Sequence, residues 1–283
     1  MMRSLYSGIT GLRNHQTRMD VIGNNISNVN TAGFKASRVI FQDIYSQTLR
    51  PASSGNGTTT GGTNPQQIGL GSKIATIDVL HTKSAAQYTG NDLDLSIEGD
   101  GYFTVSGSGG TTYTRAGNFY TDTNNYLVNA NGDYVQGFTL NASGDIVLDA
   151  TTGEPTLSKI YIDPAYYDIS IDESGSVIGV SRTDSSVKKT LGILALATFG
   201  NENALEKVGD SSYSSTANSG EAVYAQPGED GAGSLNPGTL EMSNVDLATE
   251  FSDMIVTQRG FQANSRIITT TDSMLEELVN LKR

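Results

Sequence analysis

The chain has 283 residues, enough for one or two domains with a real core, and its apolar and glycine content argues against wholesale disorder. It has no cysteine and two histidines, His15 and His81, which excludes disulfides, thiolate metal sites, a cysteine nucleophile and any multi-imidazole centre. A net charge of −12 leaves no basic surplus to neutralise a phosphate backbone, so nucleic acid is not an expected partner.

The charge is unevenly placed. Residues 1–50 carry a net +4, residues 240–283 a net −3, and the stretch between them −13. Ends of opposite sign and an acidic middle suggest termini that meet each other and a middle that faces solvent. The longest strongly apolar run, Leu191 to Phe199, is far short of a membrane span. The first twenty residues hold no continuous apolar segment of the signal-peptide kind. The chain is therefore expected to stay in the cytoplasm or to leave by a route that cleaves no signal.

The first thirty residues predict a helix. Leu5, Ile9, Leu12, Met19, Ile22, Ile26 and Val29 recur at spacings of three, four and seven, with Gln16 in the gap. A stripe this narrow is the kind that faces another helix. Asn24, Asn25, Asn28 and Asn30 crowd its end. Asparagine is a poor interior helix former, because its side chain competes for backbone partners. The plain reading is a helix end, with Gly33 suited to a left-handed position. The sharper reading is a polar face that hydrogen-bonds to neighbouring copies.

Residues 51–69 are rich in Gly, Thr and Asn without apolar period, and predict a loop or linker. From Ser72 the chain alternates, and 73–80, 93–97, 102–105 and 191–199 predict strands. Turn signals recur at Gly99-Asp100-Gly101, Asn131-Gly132, Ser143-Gly144 and Ser174-Gly175. NANGDYV at 129–135 and NASGDIV at 141–147 repeat closely, and DESGSVI at 172–178 is a looser copy. Each predicts a tight turn followed by a strand, as in a β meander, and carries no chemistry.

The last forty residues predict a second helix. Leu247, Phe251, Met254, Gln258, Phe261, Ser265, Ile268, Leu275 and Val279 follow a four-three alternation interrupted by Asp272. Ser243 and Asn244 are candidate N-caps, Asp246 and Glu250 fall in the first turn, and Lys282 and Arg283 close the end. Residues 246–281 would span about 54 Å at 1.5 Å per residue. A helix that long has no core of its own, and the matching stripe lies at the opposite terminus.

No catalytic or metal constellation emerges. GLGSK at 69–73 lacks the leading glycine and trailing hydroxyl of a phosphate loop. Asp122 to Asp133 places Leu127 where a calcium loop needs its turn glycine. Asn141-Ala142-Ser143 matches a glycosylation sequon that is common by chance. Alternation places Asp92, Asp94, Ser96, Glu98 and Asp100 on one face, expected to be solvent-facing. Neither an enzyme nor a cofactor is expected.

Four segments carry a specific resemblance: GITGLRNHQTRMDVIGNNISNVNTAGFK, GGTNPQQIGLG, DLDLSIEGDGYFTV and EMSNVDLATEFSDMIVTQRGFQANSRIITTTDSMLEEL. Together they resemble the bacterial flagellar rod and hook family, over both ends and part of the centre. The resemblance implies an α+β chain: paired N- and C-terminal helices form a coiled-coil inner domain, around a central all-β outer domain. It sets residues 1–34 and 240–283 as the polymerisation domain, 35–72 as a connecting segment and 73–239 as the outer domain. It implies a structural subunit that forms a helical tube, with a hook subunit expected and a distal rod subunit the alternative. A β-rich adhesin on a helical stalk is the reading from another class, and the lack of Trp weakens it. Implied partners are further copies, the rod, the hook cap and hook-filament junction proteins, and the flagellar export apparatus, with no nucleic acid and no membrane span. The expected interface residues are Leu5, Ile9, Leu12, Met19, Ile22, Ile26 and Val29, with Asn24, Asn25, Asn28 and Asn30. From the C-terminal stripe they are Leu247, Phe251, Met254, Phe261, Ile268 and Leu275.

Overall fold

The computed structural model describes residues 2–54, 61–141, 146–147, 155–182, 188–229 and 231–281. The Ser143-Gly144 turn, most of the sequon and of the 141–147 copy, Lys282 and Arg283 lie outside the described residues. The chain forms two compact units. A helical unit comprises Met1–Ser27, Ser37–Leu80 and Val245–Arg283, and a β-rich unit comprises Asn28–Ala36 and His81–Asn244.

The helical unit holds α1 (Met2–Ser27), β1 (Ser37–Asp43), β2 (Ser46–Arg50), β3 (Gln66–Gly69), β4 (Ser72–Val79) and α2 (Leu247–Asn280). β1 and β4 pair antiparallel from Ser37 opposite Val79 to Asp43 opposite Ser72, with an irregularity between Ile40 and Phe41. β2 and β3 form a second hairpin, which a bridge between Ser53 and Thr63 extends. Residues 66–69, expected as loop, are therefore strand. Both faces of this hairpin are largely exposed, so no burial imposes an alternating pattern.

α2 is capped by Asp246, whose carboxylate accepts from Ala248 N at 3.0 Å and Thr249 Oγ1 at 2.8 Å. Ser243 and Asn244 are not the cap. Asn244 Oδ1 accepts from Ala36 N at 2.7 Å instead, inside the β-rich unit. α1 ends at Ser27, earlier than expected, because the asparagine-rich stretch after it turns away.

The β-rich unit contains β5 (Ala86–Tyr88), β6 (Leu95–Glu98), β7 (Tyr102–Gly107) and β8 (Gly110–Thr114), followed by further strands. Its main sheet runs, in spatial order, through 166–171, 176–181, 188–194, 134–138, β7, β8, 212–214 and 206–209, with antiparallel neighbours. Leu95, Phe103, Val105, Phe119, Leu127, Val135, Leu194 and Leu196 form the core. Phe103 meets Phe119 edge to face at 5.0 Å. The expected strand 191–199 is two strands broken at Ala195, because 188–194 pairs with 134–138 and 176–181 while 196–198 pairs with β7 and 223–225.

β6 corrects one expectation. Asp94 and Ser96 are not solvent-facing but buried, as are Leu95 and Ile97 on the opposite face. Ser96 Oγ pairs with Thr239 Oγ1 at 2.6 Å, and Asp94 accepts from Thr89 Oγ1 and Asn91 Nδ2. Polar satisfaction inside the protein lets both faces of the strand be covered.

Candidate polymer interface

The two helices of the helical unit pack antiparallel. Gly8 and Gly11 face Asn264 and Ile268, His15 faces Gly260, Arg18 Nη2 pairs with Asp253 Oδ2 at 2.8 Å, and Asn25 Nδ2 donates to Glu250 Oε1 at 2.9 Å. The α1 seam thus takes the small and polar residues Gly8, Gly11, His15, Arg18 and Asn25, with the buried Ile22 in the same four-three register. On α2 the positions seven apart, Glu250, Thr257, Asn264 and Thr271, line the seam beside Met254, Phe261, Ile268 and Leu275. Thr257 and Thr271 are buried there because each hydroxyl bonds a carbonyl of its own helix, Asp253 O and Ile267 O, both at 2.7 Å. Glycine at 11 and 260 permits the approach: a Cβ at either would stand 2.7 Å from Asn264 or the His15 ring. Burial, and then the Arg18 charge, hold the His15 pKa below its usual value.

Apart from Ile22, the expected apolar stripe of α1 is rotated away from this seam. Leu5, Leu12, Met19 and Ile26 are half-buried and Ile9 is exposed, while Ile22 is buried. On α2, Leu247 and Phe251 are exposed, and Met254, Phe261, Ile268 and Leu275 are half-buried. Asn25 makes its hydrogen bonds within the helical unit. It is buried, its Oδ1 accepts from Ser37 N at 3.0 Å, and its Nδ2 serves Ser37 O and Glu250, so its bonds are spent inside the subunit. Ile22 is likewise buried within the single chain. Asn24 and Asn30 are exposed, Asn28 is half-buried, and Val29 lies beyond the helix in the β-rich unit.

The motif that follows α1 has a structural job that its sequence did not announce. Lys35 Nζ is buried against Glu241 Oε1 at 2.6 Å and Thr82 O at 2.9 Å. Arg115 Nη1, also buried, approaches Glu241 Oε2 at 3.5 Å, and its guanidinium lies 5.0 Å over the Tyr102 ring. Gly33, at φ 69°, donates its N–H to Glu241 O at 2.9 Å, and a Cβ there would strike the Arg115–Ala116 backbone. Lys207 Nζ donates to Lys35 O at 2.8 Å. The stretches 28–36 and 239–244 are therefore clasped together within the β-rich unit. Burial pulls the Lys35 and Lys207 pKa values down, and pushes the Glu202 carboxyl and the Tyr102 and Tyr213 phenols up. The one sequence signal for this clasp was a lysine ending an otherwise uncharged, glycine-punctuated run.

Two surface cavities, of about 190 and 270 Å3, are smaller than the roughly 300–1,000 Å3 of a small-molecule site. Among the described residues no three His, Asp or Glu side chains gather to hold a metal, and no helix is long and apolar enough to cross a membrane. The Asp122 turn is internally saturated, its carboxylate accepting from Thr123 and Asn124.

The chain places one long helix near each terminus and its strands between them in sequence. Three family descriptions match: "Flagella basal body rod protein" over 5–35, "Flagellar hook protein FlgE/F/G D1 domain" over 96–179, and "Flagellar basal body rod FlgEFG protein C-terminal" over 236–281. The chain is 50% identical over 285 residues to the flagellar basal-body rod protein FlgG of Bacillus subtilis, with both chains fully covered. It is 36% identical over 288 residues to FlgG of Caulobacter vibrioides, covering 99% of this chain and all of that one. It is 32% identical over 444 residues to the flagellar hook protein FlgE of Borreliella burgdorferi, again with both fully covered. The chain belongs to the flagellar rod and hook axial protein family, whose members are structural components of the bacterial flagellum.

Proposed function

We propose that the chain is a rod subunit of the flagellar basal body, which polymerises through its helical unit into a helical tube and carries no catalysis. The observation that supports a rod over a hook subunit is alignment length. The Bacillus rod protein aligns end to end over 285 residues, whereas the Borreliella hook protein needs 444, leaving this 283-residue chain gapped across more than a third of them. The hook reading rests on the same full coverage at 32% identity. In the rod reading the neighbours are further copies, other rod proteins and the hook, and delivery is by the flagellar export apparatus without a cleaved signal. The helical unit supports polymerisation because, besides its seam, it leaves Ile9, Leu247, Phe251, Ile255, Met274 and Leu278 exposed.

Deleting the gene should abolish motility, and basal bodies isolated from the deletion strain decide the rest. A rod subunit leaves basal bodies with a short or missing distal rod and no hook. Complete rods that lack only the hook would make this a hook subunit. Normal flagella would overturn both.

A further inference from the structure

The helical unit leaves apolar patches at opposite ends of α2, and among the described residues the charges that share their faces are opposite in sign. Near the start, Phe251 and Ile255 are 50% and 58% exposed and share a face with Arg259 and Arg266. Near the end, Met274, Leu278 and Leu281 are 47%, 49% and 83% exposed and share a face with Glu277. Among the described residues, neither arginine nor Glu277 takes part in an ion pair. The seam with α1 uses a different face of the helix.

Ile255 and Leu278 lie 23 residues apart on one helix, which at 1.5 Å per residue is about 35 Å. One patch cannot cover the other within a chain. Pairing like with like between two copies would set Arg259 and Arg266 against themselves and Glu277 against itself. Pairing one end with the other sets apolar on apolar and acid on base, and matches the positive start of one helix with the negative end of the next. An interface between different patches is heterologous: it builds a ring where the rotation between copies closes and an open helical filament where it does not.

We infer that in the polymer the end of α2 in one copy lies on the start of α2 in the next. Met274, Leu278 and Leu281 cover Phe251 and Ile255, with Glu277 against Arg259 and Arg266. This contact rests on the polymer reading above and assigns it an axial surface.

The absence of native cysteine gives a clean test. Polymer made of an Ile255→Cys, Leu278→Cys double variant, treated with an oxidant, should run on a denaturing gel as a ladder of trimers and longer species. A disulfide needs Cα atoms within about 7 Å, so any such bond joins two copies. Each single variant should give no species beyond a dimer. Glu277→Arg should raise the critical concentration about tenfold, the equivalent of two lost exposed pairs. Adding Arg259→Glu and Arg266→Glu to that chain should restore it. A ladder from Leu12→Cys with Leu278→Cys but none from the Ile255 pair would place the α1 stripe on the tip instead and overturn the assignment. Normal polymer with no ladder and a silent Glu277→Arg would sink this contact while leaving the polymer reading intact. A wild-type chain that never polymerises would sink both.

Discussion

The two units of this protein use burial in opposite ways. In the β-rich unit a contiguous set of large apolar side chains forms a buried core, and the buried charges of Lys35, Glu241 and Arg115 close on one another. In the helical unit the seam takes glycine, threonine, asparagine and an Arg18–Asp253 pair beside Phe261 and Ile268, while Phe251, Ile255, Val256 and Leu278 stay outside. Apolar burial is the main stabilising term in folding, so a unit that exposes its apolar faces is only part of its final structure. The β-rich unit closes a core of its own; the helical unit joins its helices largely through small and polar contacts and leaves much of its apolar area exposed.

The widest separation between the units should come from their ion pairs. Lys35→Met leaves the Glu241 carboxylate buried with only the more distant Arg115, and breaking such a pair costs about 3–5 kcal/mol. Arg18→Met breaks a pair whose partners are 28% and 46% exposed, which should cost at most about 1 kcal/mol. Thermal unfolding followed through the buried tyrosines of the β-rich unit should show a loss of about 10 °C for Lys35→Met. It should show almost none for Arg18→Met. Equal losses would mean that the clasp is not a closed buried network. The same logic refines where the chain can be cut. Truncation after Asn244 should leave the β-rich unit folded, whereas truncation before Glu241 should destabilise it as Lys35→Met does.

Acid should distinguish the units next. Tyr102 Oη lies 2.6 Å from His81 Nδ1, and burial keeps that phenol protonated, so the tyrosine donates and the imidazole accepts. Burial first, then the charges of Lys35, Arg115 and Lys207, pull the His81 pKa down to about 4. The unfolded chain binds this proton near pH 6.5, so stability is full above 6.5 and falls as pH drops toward 4. With allowance for partial solvent screening, the loss is about 2 kcal/mol. Glu202, whose carboxyl is pushed up by burial, acts in the opposite direction. His81→Asn should flatten the acid limb of a urea-midpoint profile read on the tyrosine signal. His15, also lowered, gives the helical unit the same direction of response, and His15→Asn should leave the tyrosine-reported profile unchanged.

The same contrast explains what could be read from the sequence. Both helices and several central strands were legible, because periods of 3.6 and 2 are written wherever one face is covered. What covers a face is not written in the period. The α1 stripe of Leu5, Ile9, Leu12 and Met19 marks a face that needs covering, yet within the chain α2 packs on its polar neighbour face. Asn25 looked like a group aimed at other copies, because nothing local shows that Ser37 and Glu250 would meet it. The clasp was illegible for a related reason: Lys35 and Glu241 are 206 residues apart, and each alone resembles a surface charge. β6 misled because alternation assumes one wet face, and this strand is buried on both.

The smallest effect tests whether the helical unit is limited by its own helices or by their packing. Gly23 sits inside α1, and a Cβ there would meet nothing within 4 Å. Glycine in a helix interior costs roughly 0.5–1 kcal/mol relative to alanine, through backbone entropy alone. Gly23→Ala should therefore raise the amide-exchange protection of α1 by about that amount. Gly11→Ala has the same helix propensity to gain, but its Cβ would stand 2.7 Å from Asn264 Nδ2. The seam would have to open or Asn264 turn away, and protection in α1 and α2 should fall together. Both substitutions should leave the tyrosine-reported stability of the β-rich unit unchanged. If Gly23→Ala stabilises the subunit yet raises the critical concentration for assembly, the space at Gly23 is reserved for a neighbouring copy. A gain in protection with unchanged assembly would instead confine the polymer contacts of α1 to the Leu5–Met19 stripe.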